Sequence, residues 1–557
     1  MRKFISSIIV LALIFSLCSC KGNSDTPSHG KEDHDFYYSN TVLPYCANDL
    51  LNPYTAETKF NKYIASLLFE PLVKLDETFT PHTVLAQDVK IENNKCTVTL
   101  KEVKFSDGNA LTSADVVYSL SFAKSSPAYA ARFDSIVSFT ASGDHTVIIT
   151  LKNSDENFIG LLDMPIIKNG TGNLVDSRNL SIPPTGTGPY VIDTDKEILS
   201  LISEYHGDKP NSEIIYLINT PDTESLTYNI SNGRLTSWMS SEKIKDAEII
   251  SGKTLPVNTN SLVFIGINLG EPRLSQPEIR YSLNVGFDRS ALINTVFEGF
   301  ALAADGIYNP LWSKIKGLQS ISSDVEENIL VAYLDEIGYN KKDADGIYLK
   351  SGASKLSFSL LFCNENPIRE RLAYELSSQY RKVGIEIKPT GVPYNDYIAA
   401  LESGSFELYL GEVSILKNMD ISSLLCEGGA LAYGILYPHE EEKPDDSSSD
   451  DTSSTETSSE MSQNDSTSSD DSDVTGEERD ESSEEIAVIN TCGEAITDYY
   501  SGEGTLSDIV NIFNLEMPLI PICYRQSILS VSKRIAGPAE YYFDRPYDPT
   551  VYATVNN

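Results

Sequence analysis

The stretch that decides the fold is residues 99–119, which read TLKEVKFSDGNALTSADVVYS. The residues that lead into it, 95–100, alternate polar and apolar side chains, which is typical of a half-buried strand. Residues 106–108, Ser-Asp-Gly, are turn formers that let the backbone reverse. Thr112 and Asp115 then have the spacing of a helix capping box, with Asp in place of Glu. The stretch therefore predicts a strand, a turn and a helix in succession.

Five further motifs lie in order along the chain on both sides of this stretch. They are 51–53 (LNP) with 66–72 (SLLFEPL), 185–190 (TGTGPY), 266–268 (GIN) with 279–280 (IR) and 287–289 (FDR), 380–387 (YRKVGIEI), and 518–524 (PLIPICY). Together the six motifs resemble those of the family 5 extracellular solute-binding proteins, the oligopeptide and dipeptide receptors of ABC importers. Because the motifs keep their order from the first to the last, the resemblance covers nearly the whole mature chain.

The resemblance implies an α/β fold of the type II periplasmic-binding-protein kind, in its large three-subdomain form. Two lobes are joined by a double crossover that acts as a hinge, and the ligand cleft lies between them. The implied boundaries are 36–263 with 526–557 for lobe one, 264–525 for lobe two, and about 62–179 for an extra subdomain of lobe one. Alternating patterns agree with α/β layers. They predict strands over 146–151, 214–218, 262–268 and 385–388, and helices over 61–69, 279–296, 364–383 and 394–404.

The first twenty residues have the pattern of a lipoprotein signal peptide. Two basic residues precede an apolar run, 8–17, that is too short to span a membrane. The run leads into Ser19 and Cys20, and we predict that Cys20 carries the lipid. The alternative is an ordinary secretory signal with incidental cysteines. Residues 21–35 then form a flexible tether. This pattern predicts an extracytoplasmic protein that a lipid anchors to the cell membrane, at the cell surface or the periplasmic face.

The chain is strongly acidic, with a formal charge of −37 from 80 acidic and 43 basic residues. Residues 439–485 hold nineteen of the acids and two of the bases in a sequence dominated by Ser, Thr, Asp and Glu. Such a segment cannot bury a core, so we predict a disordered insert in lobe two. It is either a solvated insertion or a site for divalent cations or glycans. The acidic balance argues against nucleic acid as a partner, because that needs clustered Lys and Arg.

Residues that carry catalytic or metal chemistry are sparse. The six histidines are scattered, and the cysteines form no CxxC pair. Cys426 and Cys492 flank the insert and either pair across it or remain buried thiols. Trp238 and Trp312 either stack on a ligand or pack in a core. Since no nucleophile or acid–base set converges in the sequence, we expect a binding protein without cofactor or metal site, and not an enzyme.

The resemblance also places candidate ligand-binding residues in two strips, because relatives that bind peptides hold the peptide backbone like an added strand. The candidates are Glu57, Thr58 and Lys59 in lobe one, Glu412, Val413, Ser414 and Leu416 within the lobe-two strip 410–416, and Tyr394, where the family often presents an aromatic ring.

Leu416 departs from the pattern of the family's peptide receptors, which place an Asp there to hold the ligand's α-ammonium group. Without that carboxylate, we expect recognition that does not rely on a free α-ammonium. The solute is then an N-blocked peptide, a modified peptide or another solute such as a metal chelate. Glu412 is the alternative source of a carboxylate, from a shifted position.

The leading hypothesis is a monomeric, lipid-anchored substrate-binding protein of an ABC importer. It captures a peptide or peptide-like solute, and its closed form docks on the permease, which works with the ATPase subunits. The second hypothesis is a surface receptor or signalling lipoprotein that uses the same fold without transport. A gene neighbourhood with two permease subunits and two ATPases favours the first.

Overall fold

The computed structural model describes residues 36–244, 251–319, 321–322, 324–350, 354–436, 491–536 and 545–555. The predicted signal peptide with Cys20, the predicted tether 21–35 and the acidic segment 439–485 lie outside these residues. Within the described ranges, no helix combines the length and the apolar character that crossing a membrane requires.

Helices and strands alternate along the chain. The helices are α1 (Lys59–Leu68), α2 (Ser113–Ser125), α3 (Thr223–Ser231), α4 (Pro277–Val285), α5 (Arg289–Val296), α6 (Glu327–Glu336), α7 (Pro367–Val383), α8 (Tyr394–Glu402), α9 (Ser422–Leu425), α10 (Thr491–Ser501), α11 (Leu506–Glu516) and α12 (Asp548–Tyr552). The strands are β1 (Thr41–Tyr45), β2 (Val73–Leu75), β3 (Pro81–Thr83), β4 (Ala86–Glu92), β5 (Lys95–Leu100), β6 (Ile136–Ala141), β7 (Thr146–Leu151), β8 (Tyr190–Asp193), β9 (Ile198–Leu201), β10 (Ile214–Asn219), β11 (Ser237–Ser240), β12 (Ser251–Ile267), β13 (Ala301–Ala303), β14 (Lys341–Lys342), β15 (Tyr348–Lys350), β16 (Ser354–Lys355), β17 (Ser357–Cys363), β18 (Glu386–Val392), β19 (Leu408–Ser414), β20 (Leu519–Ser532), β21 (Ile535–Ala536) and β22 (Thr554–Val555). Short 3₁₀ helices cover Ala130–Phe133, Phe158–Asp163 and Ser313–Ile315.

The 99–119 stretch folds as its sequence predicts. Every second side chain of β5 is buried. Gly108 follows with a φ of 84°, a left-handed conformation that residues with a side chain disfavour. The Thr112 N–H and hydroxyl then donate to Asp115 Oδ2 at 2.8 and 2.7 Å, and so cap α2. The predicted strand, turn and helix are therefore confirmed.

Three larger sheets organise the described chain. Their strand orders are β1–β10–β9–β8, β4–β5–β7–β6, and β11–β20–β12–β19–β17–β18 with β13 on β20. In the third sheet, β17 pairs in parallel with β18 and β19, whereas β12 and β20 pair antiparallel. The smaller sheets are β2–β3, β14–β15–β16 and β21–β22. Mixed sheets interleaved with helices make this an α/β fold, as predicted.

The described residues form two large hydrophobic cores, and two long strands contribute side chains to both. The first core gathers buried side chains of β1, α1, α2 and the β4–β7 sheet, and the second gathers those of α4 to α8 and α11. Along β12, Val257 belongs to the first core and Leu262 to the second; along β20, Leu529 belongs to the first and Tyr524 to the second. The two cores are therefore connected by a pair of antiparallel strands. The exact lobe boundaries stay predictions.

The predicted helix 279–296 is wrong in one respect, because the structure has two helices there. Gly286 ends α4, and Asp288 caps α5 by accepting from the Ala291 N–H at 2.8 Å. Phe287 is buried between them. Apolar spacing continues through this break, so periodicity alone does not show it. The capping residue Asp288 was the available signal.

Two alternatives left open by the sequence are decided by burial. Trp238 and Trp312 are only 1% and 5% exposed and pack in hydrophobic cores. Cys426 and Cys492 do not form a disulfide in the structure. Burial raises the pKa of Cys492 well above its ordinary value, so this thiol stays protonated and unreactive.

Three of the sequence motifs converge at the end of α1. The 185–190 turn approaches so closely that a Cβ on Gly186 would lie 2.1 Å from the Leu68 carbonyl oxygen. The Gly188 N–H donates to that oxygen at 3.0 Å, and the Gly186 carbonyl accepts from the Ser106 N–H at 2.9 Å. Only a backbone without Cβ fits this contact. The 66–72 motif, the glycine turn and the Ser-Asp-Gly turn thus fix the position of α1 as one unit.

Candidate functional site

A cleft of about 560 Å³ lies between the first core and the second. Lys62 and Ser66 on α1 and Tyr129 line its first-core wall. Ser414 and Lys417, at the end of β19 and in the loop after it, line its second-core wall. Residues of β12 and β20, the strands that connect the cores, line it as well. The cleft therefore has the interlobe position and a volume typical of small-molecule sites.

Among the described residues, five basic side chains and one acidic side chain line this cleft. The basic ones are Lys62, Lys74, Arg132, Lys417 and Arg545, and the acidic one is Asp163. Arg132 donates to Asp163 Oδ1, and Lys417 donates to Asp163 Oδ2. These three side chains are 14%, 15% and 2% exposed in the order Arg132, Lys417, Asp163. Lys417 comes from the second-core wall and the other two from the first, so we call this group the cleft bridge.

Further polar contacts join the two walls beside the cleft bridge. Lys314 donates to Glu156 Oε1 and Asn157 Oδ1, both at 2.7 Å. Asn418 Nδ2 donates to Asp155 Oδ2 at 2.8 Å, and burial raises the pKa of Asp155 above its ordinary value. Each contact links the 155–163 region of the first-core side to a loop of the second. Such contacts form only when the two walls are close, as in a hinge-closed binding protein.

Arg545 is held at the cleft by buried acids behind it. Its Nε lies 2.9 Å from Asp548 Oδ2. Burial favours the neutral form of Arg545, but Asp548 and Glu70 outweigh burial and keep its pKa above the ordinary value. Glu70 accepts from the Tyr205 hydroxyl at 2.6 Å and lies 3.2 Å from His206 Nε2. Burial opposes its ionisation, yet these partners hold the pKa of Glu70 below its ordinary value.

The lobe-one strip predicted from sequence caps α1. Asp49 Oδ2 accepts from the Thr58 hydroxyl at 2.6 Å and from the Thr58 N–H at 2.8 Å. Its Oδ1 accepts from the Glu57 N–H at 3.1 Å. Lys59 is exposed at the first turn of α1. Pro53 before the strip lines the cleft, and on α1 the lining begins one turn later than the strip, at Lys62. Ligand contact by Glu57, Thr58 and Lys59 stays a prediction.

The structure divides the lobe-two strip. Ser414 lines the cleft, and its contact with a ligand stays a prediction. Leu416 is partly buried and packs against the first core, while its neighbour Lys417 lines the cleft. The position next to the one predicted for an amine-binding carboxylate therefore presents a cation to the cleft. The role of Leu416 in binding stays a prediction.

Tyr394, Glu412 and Val413 line a second pocket of about 400 Å³ on the second-core side. It lies at the carboxyl ends of the parallel strands β17, β18 and β19, beside the N-termini of α7 and α8. Ligands commonly bind at such an edge of a parallel sheet. Tyr394 is 55% exposed, so its ring is accessible.

The Glu412 carboxylate already has partners. Its Oε1 accepts from the Ser261 hydroxyl at 2.9 Å and from Arg525 at 3.3 Å, and its Oε2 accepts from Arg369 at 3.3 Å. A carboxylate between two guanidinium groups has little negative potential left for a ligand ammonium. The geometry therefore disfavours Glu412 as a replacement for the missing Asp.

Sequence reasoning missed the basic residues of the cleft: Lys62, Lys74, Arg132, Lys417 and Arg545. They are far apart in the chain and belong to no local motif, so only the fold brings them together. Among the residues that the structure describes, no three His, Cys, Asp or Glu side chains cluster as a metal site would need.

Residues 80–424 match the bacterial extracellular solute-binding proteins, family 5, over the middle region of the family. The match spans more than half of the chain, and the chain therefore belongs to this family of ABC-importer solute-binding proteins. The family resemblance predicted from the six motifs is confirmed. The family consists of binding proteins, which agrees with the expectation that the chain is not an enzyme.

Individual relatives extend the comparison. The oligopeptide-binding protein AppA of Bacillus subtilis is 26% identical over 434 residues, which are 72% of this chain and 78% of AppA. An ABC transporter substrate-binding protein from Sinorhizobium meliloti covers 93% of this chain and 100% of its own, with a TM-score of 0.68 and 18% identity. NikA from Brucella suis, solved with Fe(III)-EDTA, gives the same coverage with a TM-score of 0.64 and 16% identity. The two structures share the fold, which confirms the predicted fold class.

Proposed function

We propose that the protein is a lipid-anchored extracytoplasmic receptor that captures a peptide or peptide-like solute in the interlobe cleft. It delivers this solute to the permease and ATPase subunits of an ABC importer, and it acts as a monomer. The observation that carries the proposal is the cleft of about 560 Å³ whose walls belong to two cores. A solute that contacts both walls stabilises the closed arrangement over an open one. The permease then recognises the closed form.

Similarity supports a peptide as the first choice of solute. The relative from Bacillus subtilis that covers most of the chain is named an oligopeptide-binding protein. A metal chelate is the second candidate, because a structural neighbour was solved with Fe(III)-EDTA in complex. In either case the solute contacts residues of both lobes, 36–263 with 526–557 on one side and 264–525 on the other. Tyr394 and Val413 serve a part of the solute that reaches the second pocket.

The test uses the full-length lipoprotein in detergent. Native mass spectrometry identifies solute that is retained after gentle purification, and calorimetry measures rebinding after dialysis. Small-angle scattering should show a smaller radius of gyration with solute than without it. A solute that binds without compaction, or failure of every peptide and chelate to bind, would contradict receptor function.

Transport is separated from signalling by reconstitution. The loaded protein should stimulate ATP hydrolysis by its cognate permease and ATPase subunits in liposomes, and the unloaded protein should not. Solute binding with compaction but without such stimulation would favour the surface-receptor hypothesis.

A further inference from the structure

The second pocket, of about 400 Å³, has walls that are rich in aromatic rings. Among the described residues, five aromatic side chains line it: Phe264, Tyr394, Tyr397, Tyr409 and Tyr433. Five aliphatic side chains line it as well. Tyr394 is 55% exposed, whereas the rings of Phe264 and Tyr409 are buried. A concave surface of this composition suits the apolar part of a ligand.

Glycines on two paired strands make room for the buried rings of this pocket. β12 and β19 pair so that Phe264 lies opposite Gly411 and Tyr409 lies opposite Gly266. A Cβ on either glycine would overlap the ring across from it, so each ring lies over a glycine. The ring centroids of Phe264 and Tyr409 are 5.7 Å apart with planes at 78°, and those of Tyr409 and Tyr433 are 6.4 Å apart at 82°. These are edge-to-face contacts, and a further ring in the pocket would find partners for contacts of the same kind.

The charged and amide side chains of the lining already have partners within the protein. Arg369 donates to Glu412 Oε2 at 3.3 Å and to the Leu410 carbonyl oxygen at 2.9 Å. Asn366 Oδ1 accepts from two N–H groups in the first turn of α7, at 3.0 and 3.4 Å. Glu365 Oε1 accepts from the first N–H of α8 at 3.2 Å. A charged ligand group would have to compete with these bonds or lose its hydration without a partner, whereas an uncharged group leaves them intact.

The second pocket lies next to the cleft along β19. Val413 lines the pocket, and the following residue, Ser414, lines the cleft. Neighbouring residues of a chain are about 3.8 Å apart between their Cα atoms. A peptide that lies in the cleft can therefore place one of its side chains in the pocket.

We propose that the second pocket is a specificity site for an uncharged aromatic side chain of a peptide solute, whose ring packs against Tyr394, Tyr409 and Tyr433. This inference rests on the proposed function, because it takes the pocket to receive part of the captured solute. An aliphatic side chain also buries apolar surface there but makes no ring–ring contacts. A charged side chain is disfavoured because the charged groups of the pocket are paired with one another.

The experiment uses calorimetry on the full-length lipoprotein in detergent. The probes are N-acetylated tetra-alanine and its derivatives in which each position in turn is Phe, Leu or Lys. At one position, we expect the Phe peptide to bind about tenfold or more tightly than tetra-alanine, because a buried phenyl ring removes a large apolar area from water. It should bind about threefold or more tightly than the Leu peptide at the same position, owing to the ring–ring contacts. Lys at that position should bind no more tightly than Ala.

Variants of Tyr394 assign this preference to the second pocket. Tyr394→Leu keeps an apolar side chain but removes the ring, so the ratio of Phe-peptide to Leu-peptide affinity should fall about twofold or more. Tyr394→Phe restores the ring and should restore the ratio. Tyr374→Leu is the matched control, because Tyr374 is 57% exposed on α7 and lines neither the second pocket nor the cleft. Both tyrosines are exposed, so these substitutions disturb no core.

The outcomes separate this inference from the proposed function. If peptides bind but Phe has no advantage over Leu at any position, aromatic selection is wrong and the receptor function stands. If the advantage of Phe survives in Tyr394→Leu, or falls equally in Tyr374→Leu, the assignment to this pocket is refuted. If no peptide of the set binds, this inference is wrong, and the receptor function then depends on the retained solute and on chelates.

Discussion

Replacing Gly186 with Ala tests whether the glycine turn holds α1 in place. A Cβ at this position would lie 2.1 Å from the Leu68 carbonyl oxygen and 2.6 Å from Phe69 Cδ1. Ordinary contacts between heavy atoms are about 3.5 Å or longer, so the turn and the end of α1 must separate by about 1 Å. The obstacle is backbone, which cannot rotate away as a side chain does.

The expected cost of Gly186→Ala follows from these contacts. Overpacking of a rigid site costs about 1–3 kcal/mol. Separation also weakens the Gly188-to-Leu68 and Ser106-to-Gly186 hydrogen bonds, at about 1 kcal/mol each. The sum is about 3–5 kcal/mol, which lowers the melting temperature of a unit of about 200 residues by about 10 °C.

Thermal unfolding followed by circular dichroism measures the effect. Gly143→Ala is the control, because Gly143 has a φ of 67° and a Cβ added there would meet no other heavy atom within 4 Å. That substitution meets only the left-handed backbone penalty of about 1–2 kcal/mol. If Gly186→Ala lowers the melting temperature no more than Gly143→Ala does, the close contact with α1 is not the reason that position 186 requires glycine.

Four further expectations follow from the sequence and the structure. Cys20→Ala should move the protein from the membrane to the soluble fraction, and unchanged partition would contradict lipidation at Cys20. Replacing 439–485 with a short Gly/Ser link should change stability by about 1 kcal/mol or less, because loop-closure entropy depends weakly on length; a large drop in melting temperature would show that the segment is structured. Glu70→Gln should destabilise most near neutral pH. The folded-state pKa of Glu70 lies below its ordinary value of 4.5, so its stabilisation is present above that value and is lost as pH falls through the folded pKa. Melting curves from pH 7 to 3 check this, and a difference that does not vary with pH would refute it. Acetylating the N-terminus of a bound peptide should change its affinity less than about threefold by calorimetry, whereas a requirement for a free α-ammonium costs about 3–5 kcal/mol when its partner is lost. Abolished binding on acetylation would contradict the inference from Leu416 and Lys417.

Much of the fold was accessible from the sequence because its signals are local. The capping box at Thr112 and the strand 146–151 depend on residues within a few positions of each other, and the structure has both. The break at Gly286 was missed, since apolar spacing runs through it and tertiary packing of Phe287 decides it. The six motifs identified the family, although their mutual contacts, such as the glycine turn on α1, appear only in three dimensions.

The candidate site was less accessible, because its residues are gathered by the fold. Arg132 and Asp163 lie 31 positions apart, and Lys417 is 254 positions from Asp163. No local pattern connects them. The two predicted ligand-binding strips were placed by counting residues from motifs elsewhere in the sequence, with no gaps allowed. The residue that this count placed at 414 lines the cleft, and the count placed the lobe-one strip at the cap of α1, one turn before the part of α1 that lines the cleft.

The one-residue difference between Leu416 and Lys417 has the largest consequence for function. If the count from the landmark motifs is shifted by one position, the residue at this place is Lys417, which faces the cleft, and not Leu416, which packs against the first core. If Leu416 is the residue nearest to the ligand's N-terminus, the sequence indicates only that the amine-binding carboxylate is missing. A ligand with a neutral N-terminus then fits the site. With Lys417 in that place, the cleft presents a positive charge that is shared with Arg132 on Asp163. The place where a free α-ammonium group would need a carboxylate is then taken by a side chain that already donates to Asp163. Acetylated and free forms of one peptide should therefore bind the protein with similar affinity, which calorimetry checks; a clear preference for the free form would show that a carboxylate other than that of Asp163 receives the amine.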